Sequence, residues 1–273
     1  MFTESVESKN AADLVVSGTG SAVVIQGVDV QLCGGLLLYG DGQTDTAPAS
    51  LTVENAVLNS KSYCISTNAS MENNVQKWKN VSITITDSEL KASTPIMLNV
   101  EGTLTVDDCR IEGTTHGIFL RAGKAEISNS TISTTFTAKD EEGHPYHEKW
   151  ASGNCATAGA IVIGNKNGAG YYADAVCKLS GEINVSAPAN SYGTYVIYVT
   201  GNSTTYSGIN DGKAFSTSID YTGVTGGTFS KDDIMVEPNG ENAAIFINGE
   251  KYSAAAEEVG TGTEGNPADE PQA

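Results

Sequence analysis

The amino-acid sequence predicts an all-β solenoid in which each coil contributes three short strands. Three observations predict it: segments that recur at a fixed spacing, alternating apolar and polar residues within each segment, and a bend-forming residue at one position of each copy. The 273 residues are 39% hydrophobic, enough to build a core. Because one coil is too small to bury its own apolar face, the copies must stack on one another.

The repeat is clearest in three segments that begin 21 residues apart, at Ile83, Leu104 and Ala125. In each segment the first and third residues are apolar and alternate with polar ones. An earlier copy begins at Leu51, and a looser copy begins at Val23. This alternation predicts a strand that buries every second side chain.

The fifth and sixth positions of each copy predict a tight corner between two strands. The fifth residue is of a type that tolerates left-handed backbone, and the sixth is small. The fifth-position residues are Asn55, Asp87, Asp108 and Asn129, with Gly27 in the loose copy. The sixth-position residues are Ala56, Ser88, Cys109 and Ser130. We expect the first set to stack as a corner ladder and the second set to line up inside.

A third strand is predicted after each corner, and further copies follow less regularly. The third strands are expected at 63–65, 95–98, 117–120 and 160–163. Later strands are expected at 176–185, 193–199, 216–221 and 226–230. Segments 234–236 and 244–247 are expected to pair as a capping hairpin, because solenoids need covered ends.

This arrangement of strands and corner residues resembles the right-handed parallel β-helix of the pectate-lyase-like superfamily, as in bacterial cell-surface and adhesin-like proteins. That family often stacks asparagines at a tight corner, which the corner ladder would match. The resemblance covers residues about 20 to 230 and implies coils of about 21 residues with loop insertions. It divides the chain into an N-terminal cap or extension at 1–20, a parallel β-helix with its C-terminal cap at 21–252, and an acidic flexible tail at 253–273.

Charge and hydropathy narrow the possible partners and location. The formal net charge of −18 argues against nucleic acid or anionic lipid as a partner, because lysine and arginine supply most affinity for phosphates. No stretch approaches the ~18 apolar residues of a membrane span. The first residues lack the basic and apolar regions of a secretory signal, which fits either an intracellular protein or a mature exported fragment. The low lysine content favours the fragment, extracellular or at the cell surface.

One cluster superficially resembles the catalytic motifs of polygalacturonases, which share the β-helix. It comprises Asp107, Asp108, Arg110, His116, Arg121 and Lys124. In that family the motifs come from successive coils that stack in one cleft, whereas here they fall within a single 21-residue coil. We therefore expect them to face different directions. Pectate-lyase chemistry requires several calcium-binding acids on one face with an arginine beside them, and the sequence contains no such group. No catalytic residue is therefore predicted.

Two histidines and the five cysteines are candidates, by residue type, for metal binding and disulfide formation. His144 and His147 are weak metal candidates, but their spacing fits no known ligand pattern, so a solvated loop is favoured and no metal or cofactor is predicted. We interpret Cys64 and Cys109 as buried and inert. Cys155 and Cys177 flank a loop-rich region and are the most plausible disulfide pair.

Three insertions, at 68–80, 136–158 and 166–175, interrupt the repeat and are expected to gather on one side. They contain both tryptophans and several tyrosines: Trp78, Trp150, Tyr146, Tyr171 and Tyr172. One hypothesis is an aromatic platform for a sugar ring or a protein partner. The other is that each ring folds back over an apolar strand face.

Three functions remain open from the sequence. The favoured one is a non-catalytic extracellular module that serves as a stalk, an adhesin or a glycan- or partner-binding segment. The alternatives are a polysaccharide lyase or glycoside hydrolase, which rests on fold analogy alone, and a phage tail-spike fragment.

Overall fold

The computed structural model describes residues 12–43, 45–68, 70–72, 75–136, 158–164, 173–188, 194–201, 215–238 and 244–252. Within these ranges the chain is all-β, with 24 strands and one turn of 3-10 helix at Lys231–Asp233. Most strands pair in parallel in three sheets, which we name A, B and C. No helix among the described residues is long and apolar enough to cross a membrane.

Sheet A consists of β1 (Leu14–Ser17), β4 (Leu36–Tyr39), β7 (Ile65–Thr67), β12 (Ile96–Leu98), β15 (His116–Leu120), β18 (Ala158–Ile163), β20 (Thr194–Thr200) and β22 (Ile234–Glu237). Sheet B consists of β2 (Ala22–Gln26), β5 (Ala49–Glu54), β10 (Val81–Thr86), β13 (Gly102–Asp107), β16 (Gly123–Ser128), β19 (Ala175–Ser186), β21 (Thr217–Gly227), β23 (Ile245–Ile247) and β24 (Glu250–Lys251). Sheet C consists of β3 (Asp29–Gln31), β6 (Val57–Asn59), β11 (Glu89–Ala92), β14 (Arg110–Gly113) and β17 (Thr131–Thr134), and β19 joins it to sheet B. A separate antiparallel pair contains β8 (Ser70–Glu72) and β9 (Val75–Lys77).

From β2 to β18, apart from β8 and β9, the chain visits sheets B, C and A in turn. Each strand therefore pairs in parallel with its equivalent one cycle later. Ile83 lies opposite Leu104, and Leu104 lies opposite Ala125, so the 21-residue repeat is the spacing between register partners. We call one such cycle of three strands a layer.

Inward-facing aliphatic residues stack in register from layer to layer. On sheet A one such column contains Leu14, Leu36, Ile65, Ile96, Ile118, Ile161, Ile197 and Ile234. The residues of this column contact one hydrophobic cluster, which also contains Leu104 of sheet B and Ile111 of sheet C. Burial of this shared core is what favours stacking, since no strand of three to six residues could bury its apolar face alone.

The corner between sheets B and C has the backbone that its residue types predict. Asn55, Asp87, Asp108 and Asn129 each follow a sheet-B strand, and their φ angles lie between 47° and 51°. These strands pair in register, so the four residues occupy equivalent positions. The Asn129 side chain donates to Asp107 Oδ1 at 2.9 Å and accepts from the Glu182 backbone N–H at 3.3 Å.

The small residues after each corner are buried and bonded between layers. The Ser88 hydroxyl accepts from the Ala56 backbone N–H at 3.1 Å, and the Ser130 hydroxyl accepts from the Cys109 backbone N–H at 3.0 Å. Each hydroxyl also donates to a backbone carbonyl two residues earlier in its own layer. Buried backbone donors at the corner are therefore satisfied by the next layer.

Two expectations from the sequence need correction. Segments 234–236 and 244–247 do not pair with each other: β22 extends sheet A and β23 extends sheet B, and the hairpin partner of β23 is β24. Residues Asn248 and Gly249, both with positive φ, form the turn of that hairpin.

The second correction concerns the proposed disulfide between Cys155 and Cys177. Cys177 has a free, buried thiol, stacked between Ala125 and Ile219 on the inner side of sheet B. Its position in the core ladder, rather than beside a loop, explains why it does not take part in a bridge. Cys155 lies outside the described residues.

Candidate binding site

The outward side of sheet A carries a column of residues that are large and apolar except at Ser66. In register order the column is Val15, Leu37, Ser66, Met97, Phe119, Val162, Tyr198 and Met235. Met97, Phe119, Val162 and Tyr198 form a hydrophobic cluster separate from the core, with Tyr63 and Tyr195 packed against it. We call this cluster of six residues the aromatic face.

Aromatic rings and polar groups meet at the aromatic face. His116 stacks on Phe119 with ring centroids 4.9 Å apart, and Tyr195 stacks on Tyr198 at 5.4 Å. The Arg121 guanidinium lies 5.2 Å from the centroid of the same Phe119 ring, a cation–π geometry. His116 and Arg121 are both buried, although they flank an outward column.

The polar groups of this region are bound to neighbours from adjacent layers. The Thr94 hydroxyl lies 3.1 Å from His116 Nδ1, and Arg121 donates to Asn99 Oδ1 at 3.5 Å. Asn99 in turn donates to the Thr67 carbonyl at 2.7 Å. The aromatic face is thus bordered by a polar network that ties successive sheet-A strands together.

Trp78 is the sequence-predicted binding residue that lies within the described residues. Its indole contacts Tyr39, an outward residue of β4, with ring centroids 4.7 Å apart and an edge-to-face angle of 63°. Both rings are half-buried, so each retains exposed surface. Trp78 has a φ of 61°, an unusual conformation for a bulky residue, which persists only where the surroundings fix it.

Backbone contacts fix the segment 78–80, which we call the Trp78 turn. The carbonyl of Trp78 accepts from the Gly40 N–H at 3.0 Å, and that of Asn80 accepts from the Ala49 N–H at 3.2 Å. The Asn80 N–H donates to the Glu101 carbonyl at 2.8 Å. Any Cβ at position 40 would overlap the carbonyl oxygen of Lys79, so only glycine permits this close approach.

The Asp41 carboxylate ties the Trp78 turn to two loops. It accepts hydrogen bonds from the hydroxyls of Thr19 and Thr46, from the Gln43 N–H at 2.9 Å and from Asn80 Nδ2 at 3.4 Å. These donors, led by the Thr19 hydroxyl, hold the pKa of Asp41 well below its usual range. The carboxylate therefore stays ionised and serves to position the turn.

The other predicted binding residues, Trp150, Tyr146, Tyr171 and Tyr172, lie outside the described residues, as do His144 and His147. Where side chains are described, no group of three or more His, Cys, Asp or Glu is placed to hold a metal ion. The aromatic face was not predicted from the sequence. The third strand of each layer places one outward residue between two aliphatic ones, and this pattern is visible in the sequence. A single sequence does not show whether such a residue faces outward or belongs to the core.

The residues that resembled polygalacturonase motifs are spread over different parts of the layer. Asp107 binds Ser128 and Asn129 at the corner between sheets B and C, and Arg110 lies 3.8 Å from Glu112 on sheet C. His116 and Arg121 border Phe119 on sheet A instead. They therefore do not converge on one point.

The buried thiols are poor nucleophiles. Burial raises the pKa of Cys64 to about 12, that of Cys109 to about 11 and that of Cys177 to about 12. Since the thiolate is the reactive form, these cysteines act as small core residues. This agrees with the interpretation of Cys64 and Cys109 as buried and inert.

Comparison with known proteins gives no relative: no protein-family model, curated protein or solved structure matches this chain.

Proposed function

We propose that the three sheets close into a right-handed parallel β-helix and that the chain is a non-catalytic, extracellular module of a bacterial surface protein. The regular visits to sheets B, C and A and the core shared by all three sheets support the closed helix. The acidic, lysine-poor composition supports a location outside the cell. The buried thiols and the dispersed charged residues support a role without catalysis.

Within this module, we propose that Tyr39 and Trp78 bind a glycan. The observation that carries the proposal is the half-exposed tryptophan held at positive φ on a turn fixed by backbone bonds. Strained backbone that is fixed by its surroundings is typical of binding sites. A rigid aromatic surface also binds ligand with little loss of side-chain entropy. Sugar rings present apolar C–H faces that pack on such rings, while their hydroxyls need nearby polar groups. Lys79 of the Trp78 turn and Glu101, whose charged groups lie 3.6 Å apart, supply these.

The test compares Trp78→Ala with Tyr221→Ala on a glycan array. Tyr221 is a matched control, because it forms a similar aromatic pair with Phe229 at 5.3 Å, away from sheet A. We expect Trp78→Ala to lose at least tenfold in affinity and Tyr221→Ala to retain it, with both variants still folded by circular dichroism. Trp150→Ala tests the second tryptophan in the same way.

Two outcomes would contradict the proposal. Equal binding by Trp78→Ala and the unmodified protein would leave the ring as a structural anchor of its turn. Release of unsaturated or reducing sugar ends from any bound polysaccharide would favour the lyase or hydrolase alternative, and a trimer in solution would favour the tail-spike alternative.

A further inference from the structure

The two ends of the stacked sheets differ in how they are covered. At the C-terminal end, β24 folds back on β23 as a hairpin on sheet B and the 3-10 turn at Lys231–Asp233 carries a capping box on Ser230, while β22 is the edge strand of sheet A. At the other end, β1, β2 and β3 are edge strands, and no described strand pairs with their outer sides. An open strand edge presents unpaired N–H and C=O groups that bind another strand.

We call the three strands β1, β2 and β3, with the residues that join them, the first layer. Its side chains are less covered than those of the layers that follow. Val23 and Ile25 are half-buried, whereas their register partners Leu51 and Val53 are almost fully buried. Among the described residues four large hydrophobic side chains are exposed, and three of them belong to this layer: Val15 at 49%, Val24 at 64% and Val28 at 41%.

Charge identifies which partner fits this end. The chain has a net charge of −18, yet residues 12–40 contain no Lys, Arg or His and only two carboxylates, Asp13 and Asp29. The Asp13 carboxylate is bound within the chain, because the N–H groups of Cys33, Gly34 and Gly35 each donate to its Oδ2 at 2.8 Å. Two copies of the chain would repel each other least where their first layers meet.

We propose that the first layer, whose edge strands among the described residues are β1, β2 and β3, is a self-association surface that binds the first layer of a second copy. A second copy presents three strand edges in the same arrangement, so it can pair with all three at once. The contact is isologous and closes as a dimer, because the same edge strands of both copies are used in it.

The geometry of β2 indicates how to block the contact without harming the fold. Ser21 accepts from the Ser50 N–H and Gly27 donates to the Glu54 carbonyl, so the odd-numbered residues of this segment bond to β5. In a parallel strand, successive residues direct their backbone groups to opposite sides. The N–H of Val24 therefore faces the open edge, where proline is tolerated in an edge strand.

The experiment measures molar mass by light scattering and sedimentation for the full chain and three variants. Val24→Pro removes an edge donor, Val24→Lys adds a charge to the edge, and Met235→Lys adds the same charge at the opposite end. At about 10 µM we expect the unmodified chain to have twice the mass of the 28.4 kDa chain, with at least a tenfold rise in dissociation constant for both Val24 variants. Met235→Lys should associate as the unmodified chain does.

Three results would overturn the proposal. They are a monomeric unmodified chain at 100 µM, a dimer that both Val24 variants retain, and equal weakening by Met235→Lys. A chain that dimerises only after residues 1–11 are deleted would also overturn it, since the edge would then belong to that segment.

Discussion

On sheet A the outward column includes Met97, Phe119 and Tyr198, whereas the outward column of sheet B contains Thr52, Thr84 and Thr105 in register, followed by Glu126 and Lys178. Phe119 and Tyr198 are 2% and 1% exposed, and the threonines are half-exposed. The inward columns of the two sheets are equivalent and belong to one core. The stacking of layers therefore constrains the inward residues, while each outward column is free to take its own chemistry.

The largest effects should fall equally on the inward residues of both sheets. Leu104→Asp on sheet B and Ile118→Asp on sheet A each bury a carboxylate without a partner, so each should lower the free energy of unfolding by about 4 kcal/mol. Urea denaturation measures this loss. An unchanged midpoint for Leu104→Asp would mean that the inward and outward assignment on sheet B is wrong.

Outward substitutions should separate the two sheets. Phe119→Ala removes a buried ring from the aromatic face and should cost about 3 kcal/mol. Thr105→Ala, in the layer that contains Phe119, should change the free energy of unfolding by less than about 0.5 kcal/mol. Similar losses for the two variants in thermal denaturation would contradict the contrast between the two outward faces.

Acid should destabilise the fold through both Asp107 and Asp41. It should change the surroundings of Trp78 only through Asp41. The pKa of Asp107 is lowered by hydrogen bonds from Ser128 and Asn129, and that of Asp41 by the Thr19 and Thr46 hydroxyls. Because each folded-state pKa is lowered, each carboxylate stabilises the fold above about pH 4 and loses that effect as the pH falls toward the folded value. Asp41→Asn and Asp107→Asn should therefore each flatten the decline in melting temperature below about pH 4.

Tryptophan fluorescence distinguishes the two carboxylates. In a Trp150→Phe background Trp78 is the only tryptophan. We expect its emission to stay constant through about pH 4, because the lowered pKa keeps Asp41 ionised in the folded protein, and to shift only as the pH falls further toward that lowered value. Asp41→Asn should already show a shifted emission at pH 7, and Asp107→Asn should behave as its parent. A shift caused by Asp107→Asn alone would show that Asp41 does not position the Trp78 turn.

The repeat, its strands and the left-handed corner backbone could be predicted because each depends on residues close together in the sequence. Asp87 is one example: a short polar residue after an alternating segment indicates a corner by itself. The contacts of Phe119 with His116 and Arg121 were not predictable, because an outward aromatic residue in Gly-Ile-Phe-Leu resembles core. The contact of Trp78 with Tyr39 was not predictable either, because the two residues are far apart in sequence. The hairpin of β23 was not predicted because its partner, β24, has only two residues.

The spacing of register partners along sheet A has a consequence for chain entropy. Ile96 and Ile118 are separated by 22 positions in the sequence, and Ile118 and Ile161 by 43. The residues of each pair nevertheless lie opposite each other on adjacent strands, about 4.8 Å apart in space. Closing the longer connection costs only about 0.6 kcal/mol more, since loop-closure entropy grows with the logarithm of length. Loop-closure entropy alone therefore sets no tight limit on the length of chain between Phe136, whose ring is buried, and β18. For this reason the connection is a suitable position at which to insert and display a peptide or a small domain.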